Sequence, residues 1–325
     1  MSSSSKKIIV VVGATGNQGS SVAHTFLNLS NWHVRCVTRD TSSKSALAFA
    51  KLGAEVVQAD LSSLPSITKA FENANAIFVN TTFWGIFRAS AEAGNPDAQV
   101  ALAQEIAFGK NAAIAAAALP SLERFVYSAL PGFKDISKGK YATAHHFEGK
   151  AAIVDFIEKE QLQLAKKTSY IYIGCYATSP FFLPHLDEAS GKYQFLLPLP
   201  STMRFPIIDE KKSPGPLVRA LVEDEDAGVK LLAYDSFSTL GEIVEMWGRA
   251  KGKEVVLLEV SAQFAGEKLG LSKQVLDAVL GCAEFGYTGG VEGVIGPPEL
   301  KGKWWREKTF EKWLGENKDA EIKWG

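Results

Sequence analysis

The feature that most constrains the fold is a glycine-rich turn near the start of the chain. It follows Ile8–Val12, a run of β-branched residues of the kind found in strands buried on both faces. The turn reads GATGNQG, with Gly13, Gly16 and Gly19, and a helical pattern over Ser20–Leu29 comes next. Glycine permits a tight strand-to-helix bend and a close approach to a pyrophosphate, which the helix N-terminus attracts. This context predicts a dinucleotide-binding turn.

Strands and helices alternate through the first half of the sequence. Further strands are predicted at His33–Thr38, Glu55–Gln58, Ala76–Asn80, Arg124–Ser128 and Ser169–Ile173, and helices at Ser45–Leu52, Leu64–Phe71, Ala98–Ala118 and His146–Gln161. Such alternation implies an α/β fold, a Rossmann-type doubly wound parallel sheet with right-handed crossovers.

The alternation ends at about Pro180, where proline and aromatic residues become frequent. Ordered elements still follow, because Thr239 with Glu242 three residues later predicts a capping box at the start of a helix. We therefore predict a dinucleotide-binding domain over residues 1–179 and a smaller C-terminal α+β lobe over residues 180–325. The lobe should pack discontinuously on the sheet edge, in the position of a substrate-facing lid.

The end of the second strand bears on the choice of cofactor. NAD sites usually place an Asp or Glu there to accept hydrogen bonds from the ribose 2′-hydroxyl. This chain reads CVTRD, so Arg39 takes the position, Asp40 follows, and Lys44 could add charge from the next turn. A guanidinium matches a 2′-phosphate, whereas a carboxylate would repel it. The pattern favours NADP(H), and the alternative is a solvated arginine at a strand end.

Asp60 and Leu61 follow the third strand, where the adenine ring of a bound dinucleotide would lie. The Asp60 carboxylate could accept a hydrogen bond from the exocyclic amine, and Leu61 could cover a face of the ring. The equal alternative is that Asp60 is a plain helix N-cap.

Composition excludes several other classes of protein. Net charge is −1, which gives no sign of a nucleic acid or membrane partner. The three cysteines, Cys36, Cys175 and Cys282, are far apart and in apolar surroundings, so we expect reduced thiols in a cytoplasmic or nuclear compartment. No zinc-ligand spacing is present, and we predict no metal site. The apolar run at the N-terminus is too short for a signal peptide and is interpreted as the first strand.

Several separated segments together resemble the NmrA-like family, atypical short-chain dehydrogenases/reductases that include fungal nitrogen-regulation proteins and animal NADPH sensors. The G-x-x-G-x-x-G spacing is typical of short-chain dehydrogenases/reductases, and HHFEGK is a specific element of the NmrA-like group. The resemblance extends over essentially the whole chain through the segments GATGNQGSSVA, VRCVTRD, GAEVVQADL, AIFVNTTFW, EIAFGKNAA, RFVYSAL, HHFEGKAAIVDFI and GCYATSPF.

The resemblance implies that the chain binds NADP(H) on a Rossmann domain. It implies Arg39 at the 2′-phosphate, Lys110 and Lys150 on the ribose and nicotinamide side, and a loop over Tyr176–Ser179 that closes over the nicotinamide. With the residues derived above, the expected cofactor-binding set is Gly13, Ala14, Thr15, Gly16, Asn17, Gln18, Gly19, Arg39, Lys44, Asp60, Leu61, Asn80, Thr81, Thr82, Phe83, Lys110, Lys150, Tyr176, Ala177 and Ser179.

The chain departs from its relatives in three places. Ser20 stands where several of them have a glycine, and the sequence Ala177-Thr178-Ser179 lacks an asparagine often found in that loop. The segment Ile86–Pro96 looks longer than usual and could shape a pocket wall.

The candidate catalytic residues are His146, Lys150 and Ser128. Ordinary members of the fold carry a Tyr-x-x-x-Lys pair in which tyrosine donates a proton, and here His146 takes the tyrosine position. His146 could replace that donor only if it is protonated, which the nearby Lys150 disfavours, and the alternative is a packing or capping residue. Lys150 is expected to hold the ribose, and Ser128 at the end of the fifth strand could hydrogen-bond a substrate oxygen. Tyr141 is out of register for the donor.

Two functional hypotheses follow. The first is an NADP(H)-dependent oxidoreductase, or a biosynthetic enzyme that holds NADP(H), acting on an apolar or aromatic small molecule. Hydride transfer to an iminium or enone would need no tyrosine donor. The second is a non-catalytic NADP(H) redox sensor that regulates a protein partner, as a monomer or homodimer. The first hypothesis is favoured by aromatic residues around the expected nicotinamide end, which suit an apolar pocket: Phe83, Trp84, Phe87, Tyr176, Phe181 and Phe182. The alternative is that these residues only pack the two lobes together.

Overall fold

The computed structural model describes residues 6–317, in which strands and helices largely alternate between residues 7 and 173 and follow a less regular order thereafter. The strands are β1 (Lys7–Val12), β2 (Trp32–Thr38), β3 (Glu55–Gln58), β4 (Ala76–Val79), β5 (Arg124–Ala129), β6 (Thr168–Ile173), β7 (Cys175–Tyr176), β8 (His185–Asp187), β9 (Lys192–Leu197), β10 (Arg204–Ile208), β11 (Lys230–Ala233), β12 (Ser236–Thr239), β13 (Val255–Glu259) and β14 (Val294–Ile295). The helices are α1 (Asn17–Leu27), α2 (Lys44–Lys51), α3 (Leu64–Phe71), α4 (Phe83–Glu92), α5 (Ala98–Ala117), α6 (His145–Glu160), α7 (Leu162–Ala165), α8 (Pro214–Glu223), α9 (Leu240–Lys251), α10 (Ala262–Leu269), α11 (Lys273–Phe285) and α12 (Phe310–Glu316).

The main sheet has eight strands in the order β14-β11-β6-β5-β4-β1-β2-β3. Every neighbouring pair in it is parallel. The chain winds outward from β1 through β2 to β3, and then returns to the other side of β1 with β4. The predicted α/β fold with a doubly wound parallel sheet is confirmed. The direction of winding reverses between β1 and β4, which is where open α/β sheets bind their ligands, beyond the carboxyl ends of the strands.

Alternate side chains of the strands supply two separate cores, one on each face of the sheet. In β1, Val10 and Val12 face one core, and Ile9 and Val11 face the other. Helices α3, α5 and α6 cover the first face, and α1 and α8 cover the second. Because both faces are covered, β1 is an unbroken β-branched run rather than an alternating pattern.

The segment after residue 180 does not form a separate layer. Its strands β11 and β14 extend the main sheet beyond β6, and α8 packs closely against α1. A Cβ atom on Gly215 of α8 would lie 2.3 Å from the Ser21 carbonyl oxygen of α1, so a side chain at this position would separate the two helices. Two small sheets contain its other strands: β12-β10-β7, which takes β7 from before residue 180, and β13-β9-β8. The division at residues 179 and 180 stays a prediction, since the main sheet takes strands from both sides of it.

The capping box predicted at Thr239 and Glu242 is present, and α9 follows it. The predicted insertion over Ile86–Pro96 begins inside α4, which extends to Glu92. The first helix starts at Asn17, three residues earlier than predicted, because Gly16 is its N-cap. Helical structure therefore begins within the glycine motif itself.

Candidate active site

The glycine-rich turn lies between β1 and α1 at the carboxyl edge of the sheet. Gly13 has φ +77°, a left-handed conformation that side chains disfavour. Gly19 touches the turn, because a Cβ atom there would lie 2.2 Å from the Gly13 carbonyl oxygen. No side chain caps α1, so the amides of its first turn have no side-chain acceptor. Thr15, Gly16 and Asn17 are exposed, which leaves this end of the helix open to an anion.

The ends of β2 and β3 carry the charged residues that were predicted to read the adenosine side. Arg39 is exposed just after β2, and Lys44 is exposed as the first residue of α2. The Asp60 carboxylate accepts a hydrogen bond of 2.8 Å from the Ser62 amide, and this bond holds the pKa of Asp60 below its usual range. The alternative role of Asp60 as a helix N-cap is wrong, because Ser63 caps α3. Leu61 is half-buried, and its carbonyl oxygen accepts a hydrogen bond from Asn111.

Lys150 of α6 is buried at the ends of β4 and β5, where its ammonium group meets backbone and side-chain oxygens. Lys150 Nζ lies 2.9 Å from the Thr81 carbonyl oxygen, 3.1 Å from Asn80 Oδ1, and 3.3 Å from both Thr81 Oγ1 and the Ser128 carbonyl oxygen. An ammonium group has three hydrogens, so these four acceptors occupy it fully.

Behind Lys150 lies Glu105 of α5, a fully buried carboxylate that the sequence analysis did not identify. Its Oε1 lies 3.7 Å from Lys150 Nζ and accepts a hydrogen bond of 2.8 Å from Thr81 Oγ1. Thr81 Oγ1 also lies 3.1 Å from the hydroxyl of Tyr127, whose side chain is buried. Burial raises the pKa of Glu105, and the charge of Lys150 opposes that shift. These residues form one buried polar cluster, which we call the lysine cluster: Asn80, Thr81, Glu105, Tyr127 and Lys150.

Gln18 joins the glycine turn to the strand ends on the other side of Lys150. Ser128 Oγ donates a hydrogen bond of 2.7 Å to Gln18 Oε1, and Gln18 Nε2 donates one of 2.8 Å to the Tyr176 hydroxyl. Burial raises the pKa of Tyr176 to about 12, so its hydroxyl is neutral at physiological pH. The structure thus brings Gln18, Ser128 and Tyr176 next to the lysine cluster.

His146 is in contact with aromatic rings rather than with hydrogen-bonding groups. Its ring centroid lies 5.0 Å from that of Trp84, and its Nδ1 is buried without a hydrogen-bond partner. The pKa of His146 is lowered to about 3, chiefly by burial and to a smaller extent by the charges of Lys150 and His145. His146 is therefore a neutral side chain. Its neighbour His145 hydrogen-bonds the Thr143 carbonyl oxygen at 2.6 Å and Gln99 Nε2 at 2.8 Å.

The predicted pocket aromatics separate into two groups. Phe83, Trp84 and Phe87 of α4 contact one another next to His146, at the carboxyl edge of the sheet. Phe181 and Phe182 instead lie in the core of the C-terminal lobe, where both contact Phe205. The structure therefore does not bring Phe181 and Phe182 into the aromatic group on α4.

The remaining predicted residues are placed as follows. Lys110 Nζ lies 4.6 Å from the ring centroid of Phe156, six residues beyond Lys150 on α6, so Lys110 is not part of the lysine cluster. The amide of Ala177 donates to the Ile208 carbonyl oxygen, and Ser179 Oγ accepts from the Phe181 amide. Thr82 is the N-cap of α4, where its hydroxyl accepts a hydrogen bond from the Gly85 amide. Ala14 is buried in the core beneath the turn.

A second buried carboxylate, also missed from the sequence, lies beside the Tyr176–Ser179 loop. Glu210 Oε1 accepts a hydrogen bond of 2.7 Å from Thr178 Oγ1, and Oε2 is buried without a partner. Burial raises the pKa of Glu210. A signal for Glu105 existed in the sequence, since a Glu on an alanine-rich helix that packs against a sheet needs a polar partner wherever its side chain is buried.

Within residues 6–317, no cluster of three or more His, Cys, Asp or Glu side chains could hold a metal ion. None of the helices described there combines the length and the apolar character needed to cross a membrane.

Comparison with known proteins places this site in context. The model of the NmrA-like family matches residues 5–314. Two similar curated proteins are the NmrA-like family domain-containing oxidoreductases cpsB of Aspergillus campestris (strain IBT 28561) and ptmS of Penicillium ochrochloron. The first is 48% identical over 79 residues, which is 24% of this chain and 23% of that protein. The second is 32% identical over 146 residues, which is 43% of this chain and 39% of that protein. The alignments thus span well under half the length of these relatives.

Solved structures resemble the whole chain at low sequence identity. NmrA, a negative transcriptional regulator, in complex with NADP matches with a TM-score of 0.74 and 21% identity, over 97% of this chain and 96% of that chain. AtPrR2 with NADP+ and (+)pinoresinol matches with a TM-score of 0.67 and 16% identity, over 96% of this chain and 99% of that chain. At these identities the likeness establishes a shared fold.

Proposed function

The chain belongs to the NmrA-like family, and from this premise we propose that it is an NADP(H)-dependent oxidoreductase acting on an apolar or aromatic small molecule. The similar curated proteins are named oxidoreductases, and similar solved structures contain NADP or NADP+. The substrate class we propose is an iminium, with an enone as the second class.

The described residues fit an NADP(H) molecule at the carboxyl edge of the sheet. The uncapped first turn of α1 and the close contact of Gly19 with Gly13 leave backbone amides for a pyrophosphate. Arg39 and Lys44 are exposed cations suited to a 2′-phosphate. Asp60 and Leu61 lie after β3 for the adenine, and Asn80, Lys150 and Tyr176 lie on the nicotinamide side. NADPH supplies a hydride from C4 of its nicotinamide.

The neutral state of His146 is the observation that carries the choice of substrate. A histidine with a pKa of about 3 bears no proton to donate at neutral pH, and it occupies the position of the usual tyrosine donor. Reduction of a carbonyl needs a donor because negative charge develops on oxygen. An iminium carbon needs none, because the hydride neutralises a charge already present and leaves an amine. The site therefore suits an iminium better than a ketone.

The side chains around that position would bind and orient the substrate rather than protonate it. Trp84, Phe87 and His146 are half-buried rings that could face a substrate, with the fully buried Phe83 packed behind them, and aromatic faces attract organic cations. Ser128 and Tyr176 are held in place by Gln18. For an enone, the Lys150 ammonium would stabilise an enolate oxygen only by exchanging one of its four protein acceptors for that oxygen.

The experiment follows NADPH absorbance with the purified full-length chain. We expect NADPH oxidation with an N-alkyl cyclic iminium that carries an aromatic ring, and none with the matching saturated amine. His146→Phe should keep activity within about threefold, because the residue acts as an aromatic surface and not as an acid. A loss of 10²-fold or more in that variant, of the size typical for a proton donor, would contradict the assignment.

The full occupancy of Lys150 by protein acceptors favours a second candidate, an NADP(H) sensor. All its hydrogens are used by protein acceptors, so a hydrogen bond to a ribose hydroxyl would take the place of one of these bonds at the ends of β4 and β5. A similar solved structure, of NmrA, is described as a negative transcriptional regulator. If NADPH binds but neither iminium nor enone is reduced, and NADP(H) changes affinity for a protein captured from the same cell, the sensor is the better account.

A further inference from the structure

We infer that Glu105 is the positioning residue of Lys150: it holds the lysine side chain at the strand ends and maintains its positive charge. The inference rests on the proposed function only where it assigns Lys150 to the cofactor. Glu105 itself does not reach the exposed edge, since its side chain is fully buried, and the Phe83 backbone amide faces its carboxylate.

The first support is the geometry of the pair. Glu105 Oε1 lies 3.7 Å from Lys150 Nζ, and the two side chains share Thr81, whose hydroxyl lies 2.8 Å from Glu105 Oε1 and 3.3 Å from Lys150 Nζ. The Thr81 hydroxyl therefore bridges the Glu105 carboxylate and the Lys150 ammonium and fixes the distance between them. An unpaired buried carboxylate is costly, so Glu105 requires this neighbour as much as Lys150 does.

The second support is how the two helices approach each other. A Cβ atom on Gly149 of α6 would lie 2.6 Å from Glu105 Oε2, and one on Gly109 of α5 would lie 2.3 Å from Ile153 Cδ1. Both helices thus place a glycine at their contact, one on each side. The glycine preceding Lys150 in HHFEGK makes room for the Glu105 carboxylate, and without that room Glu105 could not lie beside the lysine.

The third support is the balance of charges around Lys150. The titratable groups that face it are Glu105 from α5, Tyr127 from β5 and His146 from α6. Tyr127 is neutral because burial raises its pKa, and His146 is neutral as described above. Burial lowers the pKa of Lys150, and Glu105 is the group that opposes this effect. Carbonyl and amide oxygens complete its surroundings, and they orient the ammonium without adding a full charge.

The test measures Lys150 directly, without cofactor. Lysine side chains are labelled with 13C at Cε, and the Lys150 signal is assigned by its loss in Lys150→Met. Glu105→Gln removes the charge but keeps the shape, so the titration midpoint of Lys150 should fall by about one pH unit or more, as expected for loss of an opposite charge at this distance. Glu160→Gln, on the exposed end of α6, should leave the midpoint unchanged. An unchanged midpoint in Glu105→Gln would overturn the inference.

A double-mutant cycle keeps the inference testable if Glu105→Gln folds poorly. Lys150→Met leaves Glu105 unpaired, so adding Glu105→Gln to that variant should raise the urea midpoint of unfolding, whereas the same substitution lowers it in the parent chain. Equal effects in both backgrounds would overturn the pairing.

NADPH affinity measured against pH separates this inference from the proposed function. If Lys150 serves the cofactor, NADPH affinity should fall as pH rises and Lys150 loses its proton. In Glu105→Gln this fall should occur at a lower pH than in the parent chain. A shifted Lys150 midpoint with an unshifted affinity profile upholds the role of Glu105 and contradicts the role of Lys150 in cofactor binding.

Discussion

At the scale of single residues, the proposed preference for NADPH over NADH can be tested at Arg39. We expect Arg39→Ala to weaken NADPH binding by about 10- to 100-fold and NADH binding by less than about twofold, because only NADPH carries the phosphate that the guanidinium would pair with. Fluorescence titration of each cofactor measures both constants. Arg306→Ala, another exposed arginine, is the matched control and should change neither. Equal losses for NADPH and NADH would show that Arg39 does not read the phosphate.

The neutral state of His146 predicts a dependence of stability on pH. Its pKa is about 3 in the folded chain and near 6.5 when unfolded, so the unfolded state binds more protons between these values. Stability should therefore fall as pH falls from about 6.5, and more steeply in the parent chain than in His146→Phe. Urea midpoints across this pH range measure the difference. His185→Phe, at an exposed histidine, should keep the parent slope, and a parental slope in His146→Phe would contradict the burial of a neutral ring.

Sequence reasoning found residues whose signal is local and missed those whose role is tertiary. Gln18, Arg39, Ser128 and Lys150 stand at the ends of recognisable elements, so their position at the carboxyl edge could be predicted. Glu105 could not be paired from sequence, because its partner Lys150 lies on another helix and the contact depends on where α5 and α6 cross. The two aromatic groups are alike in sequence, and only packing places Phe181 and Phe182 in the lobe core.

At the scale of elements, the turn between β1 and α1 depends on Gly19. A Cβ atom in Gly19→Ala would meet backbone atoms at 2.2 and 2.5 Å, which cannot move as a flexible side chain could. We expect a loss of about 1–3 kcal/mol in the free energy of unfolding, typical of overpacking, together with weaker NADPH binding. Urea denaturation and cofactor titration measure the two effects.

Gly315→Ala is the matched control for that substitution. Gly315 also lies in a helix, α12, but a Cβ atom there meets nothing within 4 Å. Alanine should therefore leave stability unchanged or raise it by up to about 1 kcal/mol through helix propensity. If Gly19→Ala behaved like Gly315→Ala, the close contact with Gly13 would not shape the turn.

Element types were predictable because hydrophobic periodicity and capping are local, whereas boundaries depend on neighbours. The predicted start of α1 at Ser20 treated the whole glycine motif as a turn. In the structure α1 begins at Asn17, since Gly16 has the extended N-cap conformation and Gly19 can pack inside the first helical turn. Asp60 was an equally good N-cap by residue type, and the longer turn before α3 gave that role to Ser63.

At the scale of the whole molecule, the chain shares one sheet between its two halves. The strands β11 and β14 have four and two residues, too short for any sequence pattern to mark them as part of the main sheet. Their position follows from pairing, since β11 aligns Leu231 with Ile171 of β6 and buries it completely. The predicted division at residues 179 and 180 therefore describes a change of pattern along the sequence and does not coincide with an edge of the sheet.

This shared sheet predicts that the chain unfolds as one cooperative unit. Separation of the halves would expose the edge of β6, the face of α1 that α8 covers, and the α8 side chains Leu217 and Leu221, both fully buried. Urea transitions followed by far-UV circular dichroism and by tryptophan fluorescence should therefore coincide. Trp32 lies in the first half and Trp247 in the second, and each of the variants Trp32→Phe and Trp247→Phe removes one of these two fluorophores. The urea midpoints of their fluorescence transitions should agree within about 0.3 M after correction for any change in stability. Two separated transitions, or a stable fragment of residues 1–179 that still binds NADPH, would show instead that the first half folds without the strands contributed by the second.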